Sequence, residues 1–181
     1  MPRGYWLADR LVFRRVRRLL GFDRVEYFVT SAAPISVETL EFFLSLDITL
    51  LEVYGMTECS GPATLSKPDR FRVGSAGVAL PGTDIRVTTE GEICMRGRHV
   101  FLGYFKDPEG TREALDDGGW LHSGDIGAID GDGFLRIVDR KKEIIITSGG
   151  KNIAPQPIEL KFKAVSGVSQ AVVVGERRRY L

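Results

Sequence analysis

Asp130-Gly131-Asp132-Gly133 stands between two β-rich pieces, residues 127–130 and 134–138, and leaves that stretch little choice of fold. Asp and Gly accept the positive-φ backbone of a tight turn, so runs joined this way fold back as an antiparallel hairpin. Residues 85–88 and 91–96 have the same character, short and bounded by glycine. From about Phe71 the chain therefore reads as a small antiparallel barrel or folded sheet.

Upstream the grammar differs. Residues 25–29 read as a short buried strand that ends in the turn Thr30-Ser31-Ala32-Ala33-Pro34. Ser36 has the chemistry of an N-cap, with an apolar-periodic helix over 39–46 and a second strand over 48–54 ending at Gly55. Strand, helix, strand in this order implies a parallel α/β layer, which binds ligands at the carboxyl ends of its strands. Downstream, the charged residues 139–142 break the pattern before an apolar run over 144–147. A helix over 157–165 and a buried strand over 170–174 follow. The expected class is thus mixed α/β (α+β) in three parts. Residues 1–70 form the end of a parallel α/β layer, 71–139 a barrel-like β subdomain, and 140–181 the start of a small α+β C-terminal lobe. That last part is too short to hold a full core comfortably.

Composition narrows the function classes. Of 181 residues, 43% are hydrophobic and 27% charged, with a formal net charge of +1. That balance gives no support to a nucleic-acid binder, which needs a broad basic surface. Cys59 and Cys94 lie far apart without metal-ligand spacing and read as reduced cytosolic thiols. No apolar run approaches the roughly 20 residues that span a bilayer, and residues 1–10 lack the apolar region of a signal peptide. The expected location is cytoplasmic. Arg10, Arg14, Arg15, Arg17 and Arg18 interleave with Leu11, Val12, Phe13, Val16, Leu19 and Leu20, giving a helix one apolar and one basic face. Its plainer reading is a surface helix packed on a core. The sharper one is peripheral contact with the inner, acidic face of a membrane.

Three stretches carry chemistry. In Tyr54-Gly55-Met56-Thr57-Glu58, at a strand end, an aromatic can stack on a flat ring, a hydroxyl can donate to a phosphate, and a carboxylate can hold Mg²⁺. The alternative is a strand-terminal turn capped by Thr57. Asp125 sits in a Gly-flanked turn, where it can accept from both hydroxyls of a ribose or simply cap its own backbone. His122, beside Trp120 and Leu121, reads as a packing or hydrogen-bonding residue. Arg140, in Asp139-Arg140-Lys141-Lys142, can fork onto ribose or phosphate oxygens, or belong to a solvated charge run.

Taken in order, Tyr54 to Glu58, Gly91-Glu92-Ile93, Gly119 to Asp125, Asp139 to Lys142 and Gly149-Gly150-Lys151-Asn152-Ile153-Ala154-Pro155 resemble the adenylate-forming, AMP-binding superfamily, and within it the fatty acyl-CoA synthetases. The resemblance implies activation of a fatty acid with ATP and Mg²⁺ to an acyl-AMP, then transfer to CoA. It implies nucleotide contacts from Ala32, Ala33, Pro34, Tyr54, Gly55, Met56 and Thr57, with Ser31 standing where the family has glycine. Tyr54 would stack on adenine, Thr57 would bind the α-phosphate and Glu58 would ligate the metal. Asp125 would hold the ribose with Arg140 assisting. Lys142 would be the hinge between the two half-reactions, and Gly149, Gly150 and Lys151 would face CoA. The family's phosphate loop and its late catalytic lysine have no counterpart in these 181 residues. The expectation is therefore a piece of a longer synthetase, inactive alone, with no evident protein partner. Another adenylate-forming ligase, acting on an aryl or amino acid, and a non-catalytic nucleotide-binding module remain the alternatives.

Overall fold

A computed structural model describes residues 4–33, 35–178 and 180. The chain begins as a continuous helical segment: α1 (Tyr5–Ala8), one π-helical turn (Asp9–Phe13) and α2 (Arg14–Leu19). Here the amphipathic expectation holds only in part: Phe13 and Val16 are half-buried and Arg10, Arg15 and Arg18 exposed, but Arg17 turns inward. Arg14 and Arg17 both reach the buried Asp9 carboxylate at 2.6 Å, and Arg17 goes on to Asp47, which also accepts from the Tyr5 hydroxyl at 2.9 Å. Trp6, Leu11 and Leu19 are left exposed. The cause is electrostatic: two carboxylates at the root of the segment draw Arg17 inward, its side chain 22% exposed, while Arg14 reaches Asp9 from the surface, 67% exposed.

The first sheet has the order β1 (Phe28–Thr30), β2 (Leu50–Met56), β3 (Gly61–Leu65), β4 (Val78–Ala79). β1 and β2 are parallel and are joined through α3 (Val37–Ser45), whose N-cap Ser36 accepts from the Thr39 amide at 3.2 Å as the sequence predicts. β3 and β4 are antiparallel additions, so the layer is mixed rather than parallel. The reason is connection length: the few residues from Thr57 to Ser60 can return the chain only antiparallel, because a parallel crossover needs a dozen or more.

The second sheet is an antiparallel meander, β5 (Thr83–Val87), β6 (Glu92–Gly97), β7 (Leu121–Ile129), β8 (Leu135–Arg140). α4 (Pro108–Ala114) is inserted before β7 and capped by Asp107, which accepts from the Gly110 amide at 2.8 Å. The β7–β8 turn forms where the tetrapeptide predicts it. One Asp130 carboxylate oxygen accepts from the amides of Asp132 and Phe134, both at 3.0 Å. Ile93, Met95, Leu121 and Leu135 of this sheet share one apolar core with Tyr54 and Ala63 of the first and with Cys59 in its β2–β3 turn. The shared core fixes the position of one sheet's strand ends against the other's.

A short turn, Lys141–Glu143, leads to the hairpin of β9 (Ile145–Ile146) and β10 (Asn152–Ile153), then to α5 (Pro155–Lys163). Two sequence expectations change here. Asp139 is not part of a solvated break: it is 1% exposed, and its carboxylate accepts from the Gln156 amide at 3.0 Å. It caps α5 from a distance, supplying the acceptor that Ala154, at the N-cap, lacks. Residues 170–174 form no strand, and Val172 and Val174 are 78% and 70% exposed. A strand needs a ladder partner, and the β9 edge is taken by Arg177 and Arg178, which bond to Ile146 and Ser148 at 2.8 and 2.9 Å.

Candidate functional site

The site grows from the carboxyl end of β2. Pairing between β2 and β3 slips between Tyr54 and Gly55. A Cβ at Gly55 would lie 1.9 Å from the Gly61 carbonyl oxygen and 2.8 Å from Pro62 Cα, so only glycine lets the strands approach. The chain then turns through Thr57–Cys59, and Ser60 takes a left-handed φ of 59°. Cys59 holds the turn from within, its single thiol proton shared between the Met56 and Gly61 carbonyls at 3.2 and 3.0 Å while the sulfur accepts from the Met56 amide at 3.3 Å. The resulting open pocket of about 430 Å³ is lined by Gly55, Met56 and Thr57 together with Ser31, Val53, Ser60, Gly61 and Pro62.

Ser31 stands where the resemblance calls for glycine, yet it does not close the turn. Its hydroxyl donates to the Val53 carbonyl at 3.1 Å and ties the β1 turn to β2. The left-handed backbone falls on Ala32 instead, at φ 75°. Ala32 and Ala33 are exposed beside this turn, and Pro34 lies outside the described residues.

Glu58 projects next to the pocket. Its carboxylate accepts from the Tyr104 hydroxyl at 2.8 Å, and its carbonyl accepts from the Phe101 amide at 2.8 Å. The bond to Glu58 holds the Tyr104 phenol above its ordinary pKa. Among the described residues no three acidic, His or Cys side chains cluster as a metal cage. Glu58 follows Thr57 of the pocket lining and offers a hard carboxylate oxygen, which fits Mg²⁺, an ion that keeps waters and takes ligands from substrate phosphates rather than from an all-protein cage.

Tyr54, Asp125 and Arg140 meet across the two sheets. Tyr54 is 7% exposed and donates its hydroxyl to Asp125 at 2.8 Å. Burial, with the Asp125 charge behind it, pushes the phenol far above its ordinary pKa, so it remains a neutral donor. Asp125 and Arg140 are directly paired across β7 and β8. The Arg140 Nε lies 3.6 Å from the Asp125 carboxylate, whose side chain is 16% exposed while that of Arg140 is 70% exposed. A carboxylate held on one side with an exposed guanidinium beside it matches a vicinal diol, which both donates and accepts.

Other expected residues stay apart. Lys142 is exposed and makes no hydrogen bond or ion pair among the described residues. Gly149, Gly150 and Lys151 form the exposed β9–β10 turn. The Gly150 amide donates to the Thr147 carbonyl at 2.9 Å and the Lys151 amide to the Thr147 hydroxyl at 3.1 Å. Gly150 has φ 75°, a local reason for glycine. His122 is a hydrogen-bonding residue, 3.4 Å from Glu92 and 3.7 Å from Asp116. Tyr104 escapes a sequence reading because its partner Glu58 lies 46 residues away, and Cys59 because a thiol within a turn has no distinctive pattern although its partners, Met56 and Gly61, are local.

Residues 9–105 match the family described as AMP-binding enzyme. The sequence is 48% identical to long-chain-fatty-acid–CoA ligase ACSBG2 of Mus musculus over 100% of this chain and 28% of the relative. It is 45% identical to the Homo sapiens protein of the same name, over 99% of this chain and 28% of the relative. The chain thus spans about a quarter of the length of these relatives. Among solved structures, o-succinylbenzoate CoA synthetase of Bacillus subtilis in complex with its acyl-adenylate intermediate superposes with a TM-score of 0.78 at 27% identity. That match covers 90% of this chain and 36% of the other. ATP-bound MatB from Rhodopseudomonas palustris gives 0.75 at 35% identity, over 82% of this chain and 32% of that one.

Proposed function

The chain belongs to the AMP-binding enzyme family, and from that premise we propose that it forms the adenine-nucleotide side of an acid–thiol ligase. In this reading a long-chain fatty acid is activated with ATP to an acyl-AMP, and the acyl group then passes to CoA. The observation that carries it is the Tyr54–Asp125–Arg140 cluster, anchored on β2, the strand whose carboxyl end also opens the pocket. Asp125 and Arg140 take the ribose hydroxyls and the Thr57 hydroxyl meets the α-phosphate; Gly55 and Met56 border the base in place of the stacking expected of Tyr54, whose ring is 7% exposed in the shared core. Glu58 would hold Mg²⁺, which supplies charge neutralisation on the phosphates when bound. Lys142 is the pivot between residues 71–139 and the lobe that starts at 140, a polar, unrestrained position suited to a conformational step. The β9–β10 turn, with Gly149, Gly150 and Lys151, serves the CoA half-reaction.

The 45% and 48% identities to long-chain fatty-acid ligases favour a fatty acid over an aryl or amino acid, the o-succinylbenzoate CoA synthetase standing at 27%. The residues lining the pocket are all uncharged. Adenylation needs cationic donors where charge develops on the leaving pyrophosphate, so the 181-residue chain holds nucleotide without completing the reaction. The test is calorimetric titration with AMP alongside a pyrophosphate-release assay with ATP, Mg²⁺ and palmitate. Binding without release is expected. Robust turnover refutes the division of labour, and absence of AMP binding refutes the nucleotide site.

A further inference from the structure

We infer that Glu92 is a positioning residue for the ribose-binding pair, fixing Asp125 and Arg140 by holding the residue before the one and the residue after the other. One Glu92 carboxylate oxygen accepts from the Gly124 amide at 3.1 Å. The other accepts from the Lys141 ammonium at 3.0 Å and lies 3.4 Å from His122 Nδ1. Gly124 precedes Asp125 and is left-handed at φ 71°, so its amide direction sets how Asp125 leaves the turn. Lys141 follows Arg140 at the last residue of β8. Because Asp125 and Arg140 are partners in the β7–β8 register, a single carboxylate clasps both strands immediately outside the pair.

The surroundings suit that role. The Glu92 side chain is only 9% exposed, and the pairing of β6 with β7 shifts register between Glu92 and Cys94. That shift places the side chain under the Gly124 turn, where Ser123 adds a second tie by donating to the Ile93 carbonyl at 2.7 Å. On the open side Glu90 shares the Lys141 ammonium at 3.1 Å. A buried carboxylate with this many directed partners fixes geometry more strongly than an exposed ion pair, whose side chains wander. Glu92 touches neither the pocket lining nor the proposed ligand, so its action passes through Asp125 and Arg140.

The inference rests on the ribose assignment above, and the experiment separates the two. Affinities for AMP and for 2′,3′-dideoxy-AMP are measured by calorimetry on the full chain and on Glu92→Gln and Lys141→Met. The ratio of the two affinities reports the diol contact alone, since a general loss of fold weakens both ligands equally. Wild-type protein prefers AMP, and in Glu92→Gln that preference falls by about five-fold, the change that goes with one net hydrogen bond. Lys141→Met lowers it in the same direction. Backbone amide exchange supplies a ligand-free readout: Gly124 and Arg140 exchange faster in Glu92→Gln while the 130–133 turn is unchanged. A preference retained in full by both variants, or unaltered exchange at Gly124, overturns the positioning role. A wild-type chain that binds both nucleotides equally overturns the ribose assignment itself.

Discussion

Replacing Gly55 by alanine tests the geometry on which the pocket depends. The added methyl would lie 1.9 Å from the Gly61 oxygen, 2.7 Å from the Gly61 carbonyl carbon and 2.8 Å from Pro62 Cα. All three are backbone atoms, so no rotamer change relieves the clash. β2 and β3 must separate by more than an ångström, opening the Gly55–Pro62 and Met56–Gly61 pairs that close the β2 turn. Overpacking a core costs about 1–3 kcal/mol when side chains can yield, and here they cannot, so about 3 kcal/mol or somewhat more is expected. For a chain of this size each kcal/mol moves Tm by about 2–4 °C, which predicts a fall of about 6–12 °C. Gly131→Ala is the control: a Cβ there meets nothing within 4 Å, and its effect should stay within about 0.5 kcal/mol. Urea denaturation with scanning calorimetry reads both variants. A Gly55→Ala protein within about 1 kcal/mol of wild type would refute the close approach of β2 and β3.

Three further outcomes follow from the same contacts. Tyr54→Phe keeps the ring but removes the donor to Asp125, so stability should fall by about 1 kcal/mol and AMP binding should weaken, as chemical denaturation and calorimetry will show. Asp139→Ala removes the acceptor for the Gln156 and Arg140 amides and should cost about 1 kcal/mol or more, with faster amide exchange in the first turn of α5 and at Arg140. Burial alone would raise the pKa of Glu92, but Lys141, His122 and the Gly124 amide outweigh it and hold it below its ordinary value. The folded state therefore binds this proton more weakly than the unfolded chain. Its stabilisation is complete above the unfolded value of about 4.3 and is lost as pH falls through the lower folded value. Urea midpoints measured below pH 5 should therefore decline less steeply in Glu92→Gln than in wild type.

What could be read in the sequence were features whose cause is local. Ser36 announces a helix start because its hydroxyl caps three residues on, and Asp130 to Gly133 announce a hairpin because their backbone preferences do. Of the strand-end stretch Tyr54 to Glu58, Gly55, Met56 and Thr57 line the pocket, whereas Tyr54 and Glu58 do not. The links that assemble the site were not legible. Tyr54 bonds to Asp125 across 71 residues, Glu58 to Tyr104 across 46 and Glu92 to Lys141 across 49. Such partners are chosen by the register of two sheets against a shared core, and no periodicity in the chain encodes them. The apolar run at 170–174 misled for the converse reason: its pattern is strand-like, but a strand exists only where an edge is free to receive it.

The central claim is that Asp125, held by Tyr54 and paired with Arg140, binds the ribose of an adenine nucleotide. Calorimetric AMP titration of wild type, Asp125→Ala and the exposed control Asp117→Ala tests it most directly. The expected result is a loss of affinity of about ten-fold or more in Asp125→Ala, the scale of a charge-assisted contact, with Asp117→Ala unchanged. Equal AMP affinity in all three folded proteins would contradict the claim.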